Sequence, residues 1–279
     1  MTPPKLLDAL PEIAGRIDRS PRIFLGLDFD GTLAPIRPTP DEVALDRAVR
    51  GWLDGLSRMS GVTVAIVSGR SIADVSARVA LPGLIYAGNH GLEIAGPEVH
   101  FIEPTAAALS GELGSLASRL SGELAEVPGA LVEPKGLTAS VHDRNVPPAD
   151  RPRVEWAVRR AAEGADGRFV IQPGLCVWEI RPWVDWHKGK AVAAILDALG
   201  RSEPLLPIYL GDDRTDEDAF AAIPDGITAR VGPPRPTAAR YALESPVEVA
   251  FFLRWLLENR RERARAAADG SDELGGACR

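Results

Sequence analysis

Two aspartates separated by a single residue, Asp28 and Asp30, directly follow the apolar run Ile23-Phe24-Leu25-Gly26-Leu27. In an extended chain, residues i and i+2 point to the same side, so both carboxylates face one space. Carboxylates this close repel each other, and ionising both is costly. A divalent cation relieves that repulsion, and Mg²⁺ is a hard ion that prefers oxygen ligands. A third acid comes from Gly211-Asp212-Asp213, which follows a second apolar run ending at Leu210. The candidate metal ligands are therefore Asp28, Asp30 and Asp212, with Asp213 beside them. Asp216 and Asp218 lie where a helix should start and read as helix-capping acids.

Two further positions suit a phosphoryl group. Ser68-Gly69-Arg70 follows the apolar run 62–67, and its hydroxyl and nearby N–H groups can hold a phosphoryl oxygen. Lys188 opens a helical pattern that runs to Leu199. Its ammonium can neutralise an equatorial oxygen in a phosphoryl-transfer transition state. Taken alone, Ser68-Gly69 is a turn and Lys188 a solvated side chain; their weight comes from the acids around them.

These residues need a scaffold that brings distant strand ends together. Apolar runs at 23–27, 62–67 and 205–210 suit strands buried on both faces of a parallel sheet. Helical patterns fall between them. Leu6, Leu10, Ile13 and Ile17 place a helix over 4–18. Thr39-Pro40-Asp41-Glu42 has the capping-box form and predicts a helix to about Met59. Ser71-Ile72-Ala73-Asp74 and Ser245-Pro246-Val247-Glu248 are similar starts. Strands alternating with helices define an α/β fold with a parallel sheet, whose strand ends form the cleft where ligands bind.

The middle of the chain breaks this alternation. Helical patterns at 105–125 and 150–163 accompany β-like runs at Leu137–His142, Arg168–Gln172 and Cys176–Ile180. A separate α+β layer is expected there. The expected organisation is a discontinuous core, 1–104 and 186–260, an inserted α+β domain, 105–185, and a flexible tail, 261–279.

Composition limits the partners. The 279 residues carry a formal net charge of −7, which disfavours nucleic acid. Two cysteines, Cys176 and Cys278, make no disulfide framework and fit a reducing compartment. Neither a signal peptide nor a membrane-spanning run is seen. The expectation is a cytoplasmic protein, monomeric or a weak homodimer, with no membrane or nucleic-acid partner.

Over 22–92 and 186–232 the chain resembles the haloacid-dehalogenase superfamily of phosphatases, with a Rossmann-like core and an inserted cap. The resemblance rests on Asp28-Phe29-Asp30-Gly31-Thr32-Leu33, Ser68, Lys188 and Gly211-Asp212-Asp213. It implies catalytic roles for Asp28, Asp30, Ser68 and Lys188. Asp28 would be the nucleophile that becomes an aspartyl phosphate. Asp30 would protonate the leaving group and then activate water. Mg²⁺ would be held by the Asp28 carboxylate, the Asp30 carbonyl and Asp212, with Asp213 in support.

The substrate must be read elsewhere. Asn89, His90, Glu93 and Glu179 have the chemistry for vicinal hydroxyls, and Lys135, Arg144 and Arg181 suit hydroxyls or a phosphate's outer charge. Together with Gly69 and Arg70 they form the candidate substrate-binding set. Glu179 and Arg181, at i and i+2 of a strand, are expected to address a common surface. Gly88-Asn89-His90-Gly91-Leu92-Glu93, Lys135 with His142-Asp143-Arg144, Glu179-Ile180-Arg181-Pro182 and residues 211–220 look like the corresponding segments of trehalose-6-phosphate phosphatases. That resemblance implies hydrolysis of a small-molecule sugar phosphate, trehalose 6-phosphate. Alternatives are another glycosyl phosphate (glucosyl- or mannosyl-phosphoglycerate, or sucrose phosphate) and a non-catalytic sugar-phosphate sensor.

Overall fold

A computed structural model describes residues 3–174, 176–200 and 203–275. In the first stretch, helix α1 (Leu10–Asp18) leads to β1 (Arg22–Leu27), α2 (Arg47–Ser57), β2 (Val62–Val67), α3 (Ile72–Val79) and β3 (Ile85–Gly88). Two short strands follow, β4 (Glu93–Ala95) and β5 (His100–Ile102). The middle comprises α4 (Pro104–Glu123), β6 (Leu131–Pro134), β7 (Ala139–His142), α5 (Arg151–Glu163), β8 (Phe169–Gly174) and β9 (Val177–Pro182). The chain then adds α6 (Lys188–Ala198), β10 (Leu205–Gly211), α7 (Asp216–Ala222), β11 (Ile227–Val231), β12 (Tyr241–Leu243) and α8 (Pro246–Gly275).

The core is one sheet in the order β12-β11-β10-β1-β2-β3-β4-β5. It is parallel from β12 to β3, and β4 and β5 add an antiparallel edge. The fold is α/β, as expected. Strand β1 sits at its centre because its residues are apolar in both directions. Leu25 and Leu27 pack into one core cluster, and Phe24 into the cluster on the other face. Burying each such side chain contributes about 1.5–3 kcal/mol. The register pairs Leu27 with Leu210. The residues that leave β1 and β10 therefore emerge side by side, and Asp28 N–H donates to Leu210 O at 3.0 Å.

A second, antiparallel sheet has the order β6-β7-β9-β8. Leu113, Leu116 and Leu120 of α4 and Val154 and Val158 of α5 pack on it with Val141, Phe169 and Ile180. This layer has its own apolar core.

Three expectations need correction. No long helix begins at Thr39. Pro40–Glu42 makes one 3₁₀ turn, Val43 returns to extended backbone, and α2 starts at Arg47. The reason is a better cap: Asp46 accepts N–H bonds from Ala48 and Val49, whereas Thr39 Oγ1 donates to Glu42 Oε1 and caps no backbone. The segment 261–275 is not a tail, because α8 continues through it. Its Arg-, Glu- and Ala-rich composition favours helix. Residues 276–279, with Cys278, lie outside the described residues. Strands β4, β5, β6, β11 and β12 were not expected; β4, β5 and β12 are three residues long, too short to show a period.

Candidate active site

The C-terminal ends of β1, β2, β3 and β10 and the start of α6 converge on one place. Asp28 directly follows β1 and Lys188 is the first residue of α6, and both are buried. Lys188 Nζ donates to Asp28 Oδ1 and to Asp216 Oδ1, each at 2.7 Å. Carboxylate oxygens of Asp28, Asp212 and Asp216 all lie within 4.8 Å of one another. The distant third acid therefore does meet the first.

Gly31 makes this possible. Its φ of +83° is open to glycine, and a Cβ there would collide with the Asp212 carboxylate. Thr32 Oγ1 donates to Asp212 Oδ1 at 3.3 Å.

Three carboxylates against one ammonium leave an excess of negative charge away from water. Burial pushes the Asp28 carboxyl well up; Lys188 opposes the rise, while Asp216 and Asp212 add to it. Burial, reinforced by Asp216, pushes Asp212 up to about 7. Burial also acts against the Lys188 ammonium, but Asp216 and Asp28 outweigh it and hold its pKa well above the ordinary value. An oxygen-only cluster with uncompensated negative charge fits a hard divalent cation.

Asp28, Asp212 and Asp216 are the clustered carboxylates, while those of Asp30 and Asp213 turn to other partners. Asp30 turns its carboxylate to Arg70, whose Nε and Nη2 meet Oδ2 and Oδ1 at 2.7 and 2.8 Å. Asp213 Oδ2 accepts from Thr215 Oγ1 at 3.2 Å. Asp216, expected to cap a helix, is instead fully buried. It accepts from Lys188 Nζ, Tyr209 OH and Asp213 N–H. Three donors occupy its oxygens, which leaves Asp28 and Asp212 as the acids better able to face a cation.

A cleft of about 280 Å³ opens above this cluster, between the core and the antiparallel layer. Of the sequence-predicted residues, Asp28, Asp30, Gly69, Arg70, His90, Lys135, Arg144, Glu179, Lys188, Asp212 and Asp213 line it. Ser68, Asn89, Glu93 and Arg181 are not among the described lining residues. Ser68 is buried and its Oγ accepts the Arg70 N–H at 3.1 Å. Asn89 has its amide fully engaged: Nδ2 donates to Glu93 Oε1 and Lys135 O, and Oδ1 accepts from Thr138 Oγ1. Glu93 Oε1 also accepts the Ile72 N–H. Arg181 donates to Gln172 Oε1 and Trp186 O. Glu179 thus lines the cleft, and Arg181 is not among its described lining residues. Arg70 lines the cleft, yet Asp30, Asp74 and Pro40 O take four of its five N–H groups.

Glu179 and Lys135 form the centre of the far wall. Lys135 Nζ and Ser140 Oγ donate to Glu179 Oε1 at 3.2 and 2.6 Å. Burial raises the Glu179 carboxyl, but the Lys135 ammonium, the nearby His90 ring and the Ser140 hydroxyl overcome this and hold it far below the carboxylate range. His90 Nε2 lies 3.6 Å from Glu179 Oε2, too long for a hydrogen bond. Both nitrogens of this ring and Glu179 Oε2 are buried without a hydrogen-bond partner. Burial lowers the His90 pKa, which favours the neutral ring. Glu133, His142, Arg37 and Thr215 also line the cleft and were missed. Glu133 Oε2 meets His142 Nε2 at 2.8 Å. The register that pairs Leu131 with His142 across β6 and β7 brings them together, and the unnoticed β6 hid it.

The fold is that of haloacid-dehalogenase-like hydrolases. One from Bacteroides thetaiotaomicron superimposes with a TM-score of 0.59 at 14% identity, covering 84% of this chain and 99% of that one. The C-terminal domain of Candida albicans trehalose-6-phosphate phosphatase superimposes more closely, with a TM-score of 0.76 at 21% identity over 92% of this chain and 98% of that one. The trehalose-phosphatase family model matches residues 26–246, and the chain belongs to that family. The trehalose-phosphate phosphatase of Mycobacterium marinum is 42% identical over 257 residues, 89% of this chain and 64% of the relative. That of Mycobacterium tuberculosis is 42% identical over 270 residues, 93% of this chain and 67% of the relative. The chain thus spans about two thirds of the length of these relatives. Among the described residues, no helix is long and apolar enough to cross a membrane.

Proposed function

We propose that the chain hydrolyses trehalose 6-phosphate to trehalose and inorganic phosphate in the cytoplasm, through an aspartyl phosphate on Asp28. The observation that carries this reading is the contact of Asp28 with Lys188 and its grouping with Asp212, under a wall of hydroxyl-binding groups.

An Asp28 oxygen attacks phosphorus, and the bond from phosphorus to the sugar oxygen breaks. The electron pair goes to that oxygen, which takes a proton from Asp30. A sugar alkoxide leaves poorly without that proton, and general acid catalysis contributes about 10²–10⁴-fold. Water then attacks phosphorus, gives its proton to Asp30, and the Asp28–phosphorus bond breaks. Lys188 aims Asp28 and offsets charge on the phosphoryl oxygens. Asp30 must leave Arg70 to act, because both its oxygens are occupied there.

Mg²⁺ would be held by Asp28 and Asp212, with the Asp30 carbonyl and with Asp213 in support; it would supply charge neutralisation at the phosphoryl group. The layer 105–185 would act as the cap. Lys135, Arg144 and Glu179, with His90 from the core, would bind the sugar.

The test is phosphate release from trehalose 6-phosphate, sucrose 6-phosphate, glucosyl-3-phosphoglycerate and glucose 6-phosphate, each with Mg²⁺ and with EDTA. The expected result is metal-dependent release, fastest from trehalose 6-phosphate. Comparable turnover of glucose 6-phosphate defeats the substrate assignment. No release from any of them leaves the sugar-phosphate sensor.

A further inference from the structure

Among the described residues, Tyr209 is the largest of the fully buried side chains, and the mechanism above gives it no role. It lies on β10, two residues before Gly211. Its ring is fixed from several sides. A Cβ at Gly26 of the neighbouring strand would come within 2.6 Å of it, and Phe220 packs edge-on at 5.9 Å. The hydroxyl is thus a rigid extension of the sheet. Burial, with Asp216 adding to it, raises the phenol pKa, so at neutral pH the group keeps its hydrogen and donates it.

That hydrogen goes to Asp216 Oδ1 at 2.9 Å. The same oxygen accepts from Lys188 Nζ at 2.7 Å, and Nζ reaches on to Asp28 Oδ1 at 2.7 Å. Asp216 Oδ2 is held by Asp213 N–H at 2.9 Å. A side chain at Gly211 would collide with the Asp216 carboxyl, so space has been left for it. Asp216 and Lys188 stand on the first turns of α7 and α6. Helix ends are free to shift relative to a sheet unless something joins them. Among the described contacts of the Asp216 carboxylate, the Tyr209 hydroxyl is the donor that comes from within a strand.

We propose that Tyr209 is a positioning residue for the nucleophile: its hydroxyl fixes Asp216, which fixes Lys188, which aims Asp28. The role rests on the phosphatase reading. It predicts loss in the step that forms the aspartyl phosphate, whatever the leaving group, because aim rather than protonation is affected.

The test uses Tyr209→Phe, Asp216→Ala and the double variant, each with Mg²⁺. The burst of nitrophenolate from p-nitrophenyl phosphate reports the first step alone. Tyr209→Phe should slow that burst and the turnover of trehalose 6-phosphate by about the same factor, on the order of tenfold for one lost hydrogen bond. KM should change by less than about twofold, by the same reasoning. In the Asp216→Ala background, which has no acceptor at this position, Tyr209→Phe should cost less than about twofold. Asp216→Ser replaces Asp216→Ala if the latter does not fold. Equal costs in both backgrounds would overturn the proposal, as would a lowered Tm with an unchanged burst. A wild-type burst without turnover of any sugar phosphate would sink the substrate assignment and leave this role standing. No release of nitrophenolate by the wild type, as a burst or in the steady state, would overturn both.

Discussion

The two walls of the cleft are built on opposite plans. On the core side, Asp28, Lys188 and Asp216 are nearly or fully buried, and each is tied to a strand end or a helix start. On the other side, Glu133 and His142 are partly exposed, and Glu179 keeps Oε2 without a partner. Phosphoryl transfer needs charges held in place before the substrate arrives. Recognition of a polyol needs donors and acceptors that the ligand itself completes. The first wall spends its hydrogen bonds on itself, and the second keeps some in reserve.

The sharpest way to break this contrast is Asp28→Asn. It is isosteric and should keep the fold, checked by circular dichroism and Tm, while turnover falls by at least about 10³-fold. Near-normal activity in a verified sample would place the nucleophile elsewhere. Asp30→Asn should lower trehalose 6-phosphate turnover by about 10²–10⁴-fold. The nitrophenolate burst should fall far less, since that leaving group needs little protonation. Equal losses would mean that Asp30 does more than move a proton.

On the far wall, Glu179→Ala should lower kcat/KM for the sugar substrate by about 10–100-fold, the cost of one charged hydrogen-bonding group. It should spare p-nitrophenyl phosphate, which has no hydroxyls to bind. It should also lower Tm, because Lys135 and Ser140 lose their acceptor. Equal kinetic losses on both substrates would assign Glu179 to the chemistry or the fold.

The smallest effect concerns pH. Asp212 is raised from 3.8 to about 7 in the metal-free protein. Between those values the folded state binds more protons than the unfolded state, so stability falls as pH rises. In EDTA, Tm should drop by a few degrees from about pH 5 to about pH 8. Mg²⁺ should restore it, and more at pH 8 than at pH 5. A Tm that rises with pH in EDTA contradicts the buried excess charge.

The sequence carried the core side of the cleft better than the other side, for a physical reason. Asp28 and Asp30 are two residues apart after a run that can only be a buried strand, so their placement is a local property. Asp212 needed only the same rule applied to β10. Asp216 escaped because an acid at a helix start has the pattern of a cap. Its burial depends on Lys188 and Tyr209, which are near it only in space. Ser68 and Asn89 were recognised as special, but their direction was not. Whether a hydroxyl or amide turns to the cleft or to the backbone is set by partners such as Thr138, which lies 49 residues from Asn89. Glu133 required a strand whose Pro134 and half-exposed pattern conceal it.

Asn89 has a mechanical consequence. Its amide belongs to the end of the core sheet, yet it grips Lys135 and Thr138 of the other layer. Any rotation that parts the two layers without rupturing these bonds must pivot at them. They are the stitching of the book, so its pages separate most at the edge farthest from the stitch.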